Sequence, residues 1–196
     1  MRHYFTDNAD MSHNRRVVPF RFLDIVYQFN SDQGVFSRED VDRGTIALLK
    51  NIDFSELGNR IVDLGCGYGV IAIIIQKITN AEVLAIDINQ RAVTLTIENN
   101  ILNKTKVEVK QNDGLDGLKG PFTAIITNPP IRAGKNTVYR FFEQAYDCLV
   151  QNGQLWVVIR KQQGAQSAIN KINTLFGNCR VVAKDKGYWI LLAIRP

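Results

Sequence analysis

The chain is poor in the residues that build metal centres, disulfide scaffolds and base-driven catalysis. It has three cysteines and two histidines among 196 residues. Cys66, Cys148 and Cys179 are far apart and odd in number, which excludes a disulfide framework and gives no metal-ligand spacing. His3 and His13 both lie in the N-terminal segment, where a catalytic pair has no company. Hydrophobic runs are short too. The longest, Val70–Ile75, falls well below the length of a membrane span. The N-terminus has no apolar stretch of the secretory kind, so a cytoplasmic location is expected, with no membrane contact.

What is present fits a soluble globular chain. Hydrophobic residues make up 45% and charged residues 22%, enough for one domain with a proper core. The net charge of +5 leans towards a polyanionic partner without identifying it. The first 16 residues are polar, carry Arg2, Arg15 and Arg16, and read as a mobile arm or as a segment that orders on something else. Residues 19–29 have strand character. Residues 1–33 are therefore taken as an N-terminal arm and strand extension, and 34–196 as the main domain. A helix is expected from about Glu39 to Asn51, with Ser37 and Asp40 in capping-box spacing.

After Gly58 short apolar runs alternate with helices. Strands are expected at 60–64, 82–86, 106–111, 122–127 and 154–160, and helices at 70–79, 90–102, 137–150 and 166–176. Alternation of this kind means a mostly parallel sheet covered by helices on both faces, an α/β, Rossmann-like architecture. Two final runs, 180–184 and 188–194, flank Asp185-Lys186-Gly187 and read as a hairpin, so the last strand runs antiparallel.

Ile61-Val-Asp-Leu-Gly-Cys-Gly-Tyr-Gly69 passes from a strand into a helix. Gly65, Gly67 and Gly69 permit a sharp turn and close approach to a ligand, with Cys66 as a small neighbour. Asp63 stands two residues before the first glycine. A carboxylate there would repel a pyrophosphate but suits a sulfonium and an ammonium. Asp87 ends the second strand at the right distance for ribose hydroxyls, with Ile88 beside it, and Asn112-Asp113-Gly114 ends the third, where polar groups reach an adenine. These residues resemble class I S-adenosylmethionine methyltransferases over roughly 34–196. The resemblance implies S-adenosylmethionine as cofactor and a seven-stranded sheet.

The fourth strand runs into Asn128-Pro129-Pro130-Ile131. Two prolines hold the backbone extended and remove two donors, leaving an edge rich in acceptors. Such an edge suits an exocyclic amine, a poor nucleophile whose lone pair is delocalised. The Asn128 oxygen and Pro129 carbonyl can each accept an N–H and favour positive charge on the nitrogen. The tetrapeptide resembles the (D/N/S)-P-P-(Y/F/W) signature of amino-methylating enzymes. Ile131 departs from it where an aromatic stacks on a flipped base, which speaks against adenine N6 and glutamine as acceptors. Phe36 or Tyr139 is a candidate substitute for stacking, with an ordinary core role as the alternative for either.

A longer resemblance is to small-subunit ribosomal RNA guanine-N2 methyltransferases. It is carried by Gly34-Val-Phe-Ser-Arg38 with Asp42 and Gly44, by the glycine loop, and by Asn128-Pro-Pro-Ile-Arg-Ala-Gly134. It implies that Phe36 and Ser37 close over the cofactor, and that the substrate is ribosomal RNA within the small subunit or its precursor. Arg132, Lys135 and Arg140 are candidates for phosphates flanking the target guanine. A monomer is favoured. Two other readings stay open: amino methylation of another RNA, DNA adenine or a small molecule, and a non-catalytic RNA-binding or ribosome-assembly protein of this fold.

Overall fold

A computed structural model describes residues 14–35 and 37–196. The expectations for the first 13 residues and for Phe36 lie outside the described residues. The chain starts with an antiparallel hairpin, β1 (Arg16–Phe22) and β2 (Ile25–Ser31). Residues 19–29, read from sequence as one strand, fold back at Leu23 and Asp24. Both have positive φ, 45° and 61°, the backbone that lets a two-residue turn follow strand twist. Alternation then turns Val18, Phe22, Tyr27 and Phe29 inward and leaves Val17, Arg21 and Val26 outside.

Helix α1 spans Arg43–Leu49, shorter than expected. Its cap is Asp42, whose carboxylate accepts the Thr45 amide, and not Ser37. Ser37 instead adopts φ 55° and donates its hydroxyl to the Asp40 carbonyl, so the helix cannot begin there.

The main sheet contains β3 (Arg60–Leu64), β4 (Glu82–Asp87), β5 (Glu108–Gln111), β6 (Phe122–Thr127), β7 (Leu149–Arg160), β8 (Arg180–Asp185) and β9 (Tyr188–Ile194). Their spatial order is β5-β4-β3-β6-β7-β9-β8, and β9 runs antiparallel to both neighbours. This is the Rossmann-like, seven-stranded sheet expected from the sequence. Helices α1, α2 (Val70–Thr79) and α3 (Gln90–Leu102) pack on one face; α4 (Lys135–Cys148) and α5 (Ala165–Phe176) cover the other. Helix α2 is apolar all round, and Val70 to Gln76 are all buried, which places it in the core. The hairpin joins the same apolar cluster and is fastened to α3: Asn99 and Asn103 bond the backbones of Asn30 and Gln28.

The strand order reverses beside β3, between β4 and β6. In open parallel sheets ligands settle in the crevice at such a point, off the carboxyl ends of the strands. No helix among the described residues is long and apolar enough to cross a membrane.

Candidate active site

A cavity of about 310 Å³ opens at that crevice. Its floor is the turn after β3. Gly65 and Cys66 both donate to the Ile86 carbonyl, at 2.8 Å each, and Gly67 donates to Asp87 Oδ2 at 2.9 Å. A Cβ on Gly67, at φ 57°, would meet nothing within 4 Å, so the loop leaves open space above it. Gly69 is needed for a different reason: at φ 90°, a Cβ there would lie 2.7 Å from the Thr96 side chain.

Asp63 is beneath this floor and does not line the cavity. Its Oδ2 accepts the Ala72 amide at 2.9 Å. Gly69 has no side chain to cap α2, so the carboxylate of the preceding strand takes one of its free donors. Burial, with Asp87 nearby, raises the Asp63 pKa to about 7. The placement corrects the direct contact expected from sequence. Its Oδ1 is buried without a hydrogen-bond partner among the described residues. Asp87 does line the cavity, with Oδ1 accepting the Asn89 amide, and burial raises its pKa to about 6. Ile88, Asn112, Asp113 and Gly114 continue the same wall.

Among the described residues the charged lining consists of Asp42, Asp87, Asp113 and Arg140. Arg140 is occupied by Asp113 and by Asp116 at 3.4 Å. Carboxylates therefore dominate, an environment that repels a pyrophosphate and accepts hydroxyls and a cation. The residues fit S-adenosylmethionine: Asp87 would take the ribose hydroxyls, Ile88 and the 112–114 turn the adenine, and the glycine loop the amino-acid end. Cys66 is not a nucleophile; burial pushes its thiol pKa well up and keeps it protonated.

Asn128 stands at the end of β6, on the opposite rim, with Pro129 and Pro130. Its Nδ2 donates to Asp42 Oδ2 at 2.9 Å and to Thr45 Oγ1 at 3.1 Å. Among the described residues none donates to its Oδ1 or to the Pro129 carbonyl, whereas the Pro130 carbonyl is taken by the Ala133 amide. The rim thus offers two acceptors.

Other expected residues are elsewhere. Ile131 begins a 3-10 turn and packs against the α4–α5 core, away from the cavity. Arg132 and Lys135 are exposed outside it, and Lys135 lies over the Tyr139 ring at 5.1 Å. Tyr139 also carries Lys171 and bonds the Ser167 carbonyl, so it is not a stacking group at the site. Arg140 borders the cavity and pairs with Asp113 and Asp116 of the 113–116 turn. Ser37 lines the cavity and its carbonyl accepts the Tyr68 hydroxyl. Thr45, Tyr68 and Thr137 also line it, although no local pattern marks them.

The model of the methyltransferase small domain matches residues 26–192. The uncharacterized protein YbxB of Bacillus subtilis is 40% identical over 195 residues, 97% of each chain. Ribosomal RNA small subunit methyltransferase C of Pseudomonas putida is 33% identical over 83% of this chain, which spans only 49% of that relative. Among solved structures, the T. thermophilus 16S rRNA N2 G1207 methyltransferase (RsmC), in complex with AdoMet and guanosine, superposes with a TM-score of 0.85. It is 24% identical over 95% of this chain and 52% of that one. The chain belongs to the methyltransferase small domain family and is, by family and fold, a class I S-adenosylmethionine-dependent methyltransferase.

Proposed function

We propose that the protein methylates the exocyclic N2 of a guanine in small-subunit ribosomal RNA, in the cytoplasm, on the subunit or its precursor. The observation that carries the reading is the acceptor-only rim, Asn128 Oδ1 and the Pro129 carbonyl, facing an acidic cavity shaped for an adenosyl cofactor. An amine brought to that rim donates both N–H groups to protein oxygens. This turns its lone pair towards the cavity and favours the positive charge that grows on nitrogen. Bound S-adenosylmethionine would supply an electrophilic methyl on its sulfonium, with the thioether as leaving group, and the methylated nitrogen would release one proton to water. No protein base is required, because the nitrogen becomes acidic once it carries the methyl.

The guanine acceptor is supported by the likeness to the 16S rRNA N2 G1207 methyltransferase and by the isoleucine at 131, which turns into the core where adenine-N6 enzymes carry a stacking aromatic. Asn128→Ala tests the chemistry. Methyl transfer to small subunits should fall by about a hundredfold or more, the scale of losing a transition-state hydrogen bond. Cofactor affinity by calorimetry should change less than about threefold, because Asn128 belongs to the opposite rim. Retained turnover would show that another group holds the acceptor.

A further inference from the structure

An amide can present either its oxygen or its nitrogen to a substrate, and only one orientation serves an amine acceptor. Asn128 alone does not choose. Its Nδ2 carries two N–H groups, and both are taken: one by Asp42 Oδ2 at 2.9 Å, the other by Thr45 Oγ1 at 3.1 Å. A carboxylate has no proton to give, so Asp42 accepts only from the nitrogen. The oxygen is then the end left to face the cavity.

We propose that Asp42 is a positioning residue for methyl transfer, fixing the Asn128 amide with Oδ1 towards the acceptor amine. The proposal rests on the amine-methylating reading and adds the group that makes Asn128 an acceptor. Gly44 supports the arrangement by its size. A Cβ at that position would lie 2.8 Å from Asp42 Oδ2 and 2.7 Å from the Tyr188 ring, so any side chain would push the carboxylate off Asn128. Asp42 has a second task that must be kept apart from the first, because the same Oδ2 caps α1 by accepting the Thr45 amide at 3.0 Å.

Two substitutions separate the tasks. Asp42→Ser keeps a capping oxygen but is too short to reach Asn128 as well. Asp42→Asn keeps an acceptor long enough for both. If Asp42 were only a cap, Asp42→Ser would behave as wild type. On the positioning reading its kcat on small subunits falls by about tenfold to a hundredfold, the penalty of a misaligned reactive group. Its melting temperature stays close to wild type, and Asp42→Asn returns most of the lost rate.

A second readout needs neither cofactor nor RNA. In the NMR spectrum of the free protein, the two Asn128 side-chain amide protons, assigned by their loss in Asn128→Ala, should be hydrogen-bonded and slow to exchange. In Asp42→Ser one should move to a free-amide position, and in Asp42→Asn it should stay. Unmoved signals in Asp42→Ser, or wild-type kcat in that variant, would overturn the proposal. A wild-type protein inactive on small subunits would count against the guanine reading, and the NMR result would still decide this one.

Discussion

The Asp87 carboxylate accepts the Gly67 amide at 2.9 Å, tying the end of β4 to the crest of the glycine loop. The other oxygen accepts the Asn89 amide that opens α3, so one side chain fixes two walls of the cavity. Asp87→Ala would leave both amides unpaired and remove the ribose acceptor. Calorimetry should give a Kd for S-adenosylmethionine at least about tenfold weaker, the loss expected of one charge-assisted hydrogen bond. An unchanged Kd would mean that the ribose is held elsewhere.

Burial raises the Asp63 pKa to about 7 and the Asp87 pKa to about 6, against 3.8 for an ordinary aspartate. The folded values lie above the unfolded ones. Their stabilising contribution is therefore full below about pH 4 and is lost as pH rises through 6 to 7. Asp63→Asn retains an acceptor for the Ala72 amide and removes the titration. The melting temperature of the variant, compared with wild type in the absence of cofactor, should gain a few degrees between pH 5 and pH 8. A difference independent of pH would contradict the burial of a titrating Asp63.

Arg140 looks from sequence like a phosphate ligand and in the structure clasps the 113–116 turn, through Asp113 and Asp116. Arg140→Ala should weaken cofactor binding, because the 113–116 turn on the cavity wall loosens. The dependence of RNA affinity on salt should stay as in wild type, whereas loss of a phosphate contact would lower the slope by about one.

Gly69 tests the packing of the loop. Gly69→Ala combines a left-handed backbone with a Cβ 2.7 Å from Thr96, and should cost about 2–4 kcal/mol in denaturant unfolding. Gly67→Ala, with open space around its Cβ, should cost only about 1 kcal/mol, from backbone strain alone. Equal losses would contradict the close approach of Thr96.

The cavity wall is legible because its signals are local: a strand, three glycines, and polar residues at the ends of β4, β5 and β6. The hairpin is not, since its turn is Leu23–Asp24 without glycine, and two short strands then read as one. Asp63 misled for a related reason. Its charge is visible in sequence, but its debt to α2, uncapped at Gly69, appears only when the helix is in place. Asp42 and Gly44 stood out as part of a family resemblance without a task. Asp42 meets Asn128 across 86 residues of chain, and no spacing rule reaches that far.

Nucleoside mass spectrometry on small ribosomal subunits incubated with the protein and isotope-labelled S-adenosylmethionine tests the central claim most directly. Labelled N2-methylguanosine is the expected product, lost with Asn128→Ala. Labelled N6-methyladenosine, or label on DNA or a small molecule and none on ribosomal RNA, would contradict it.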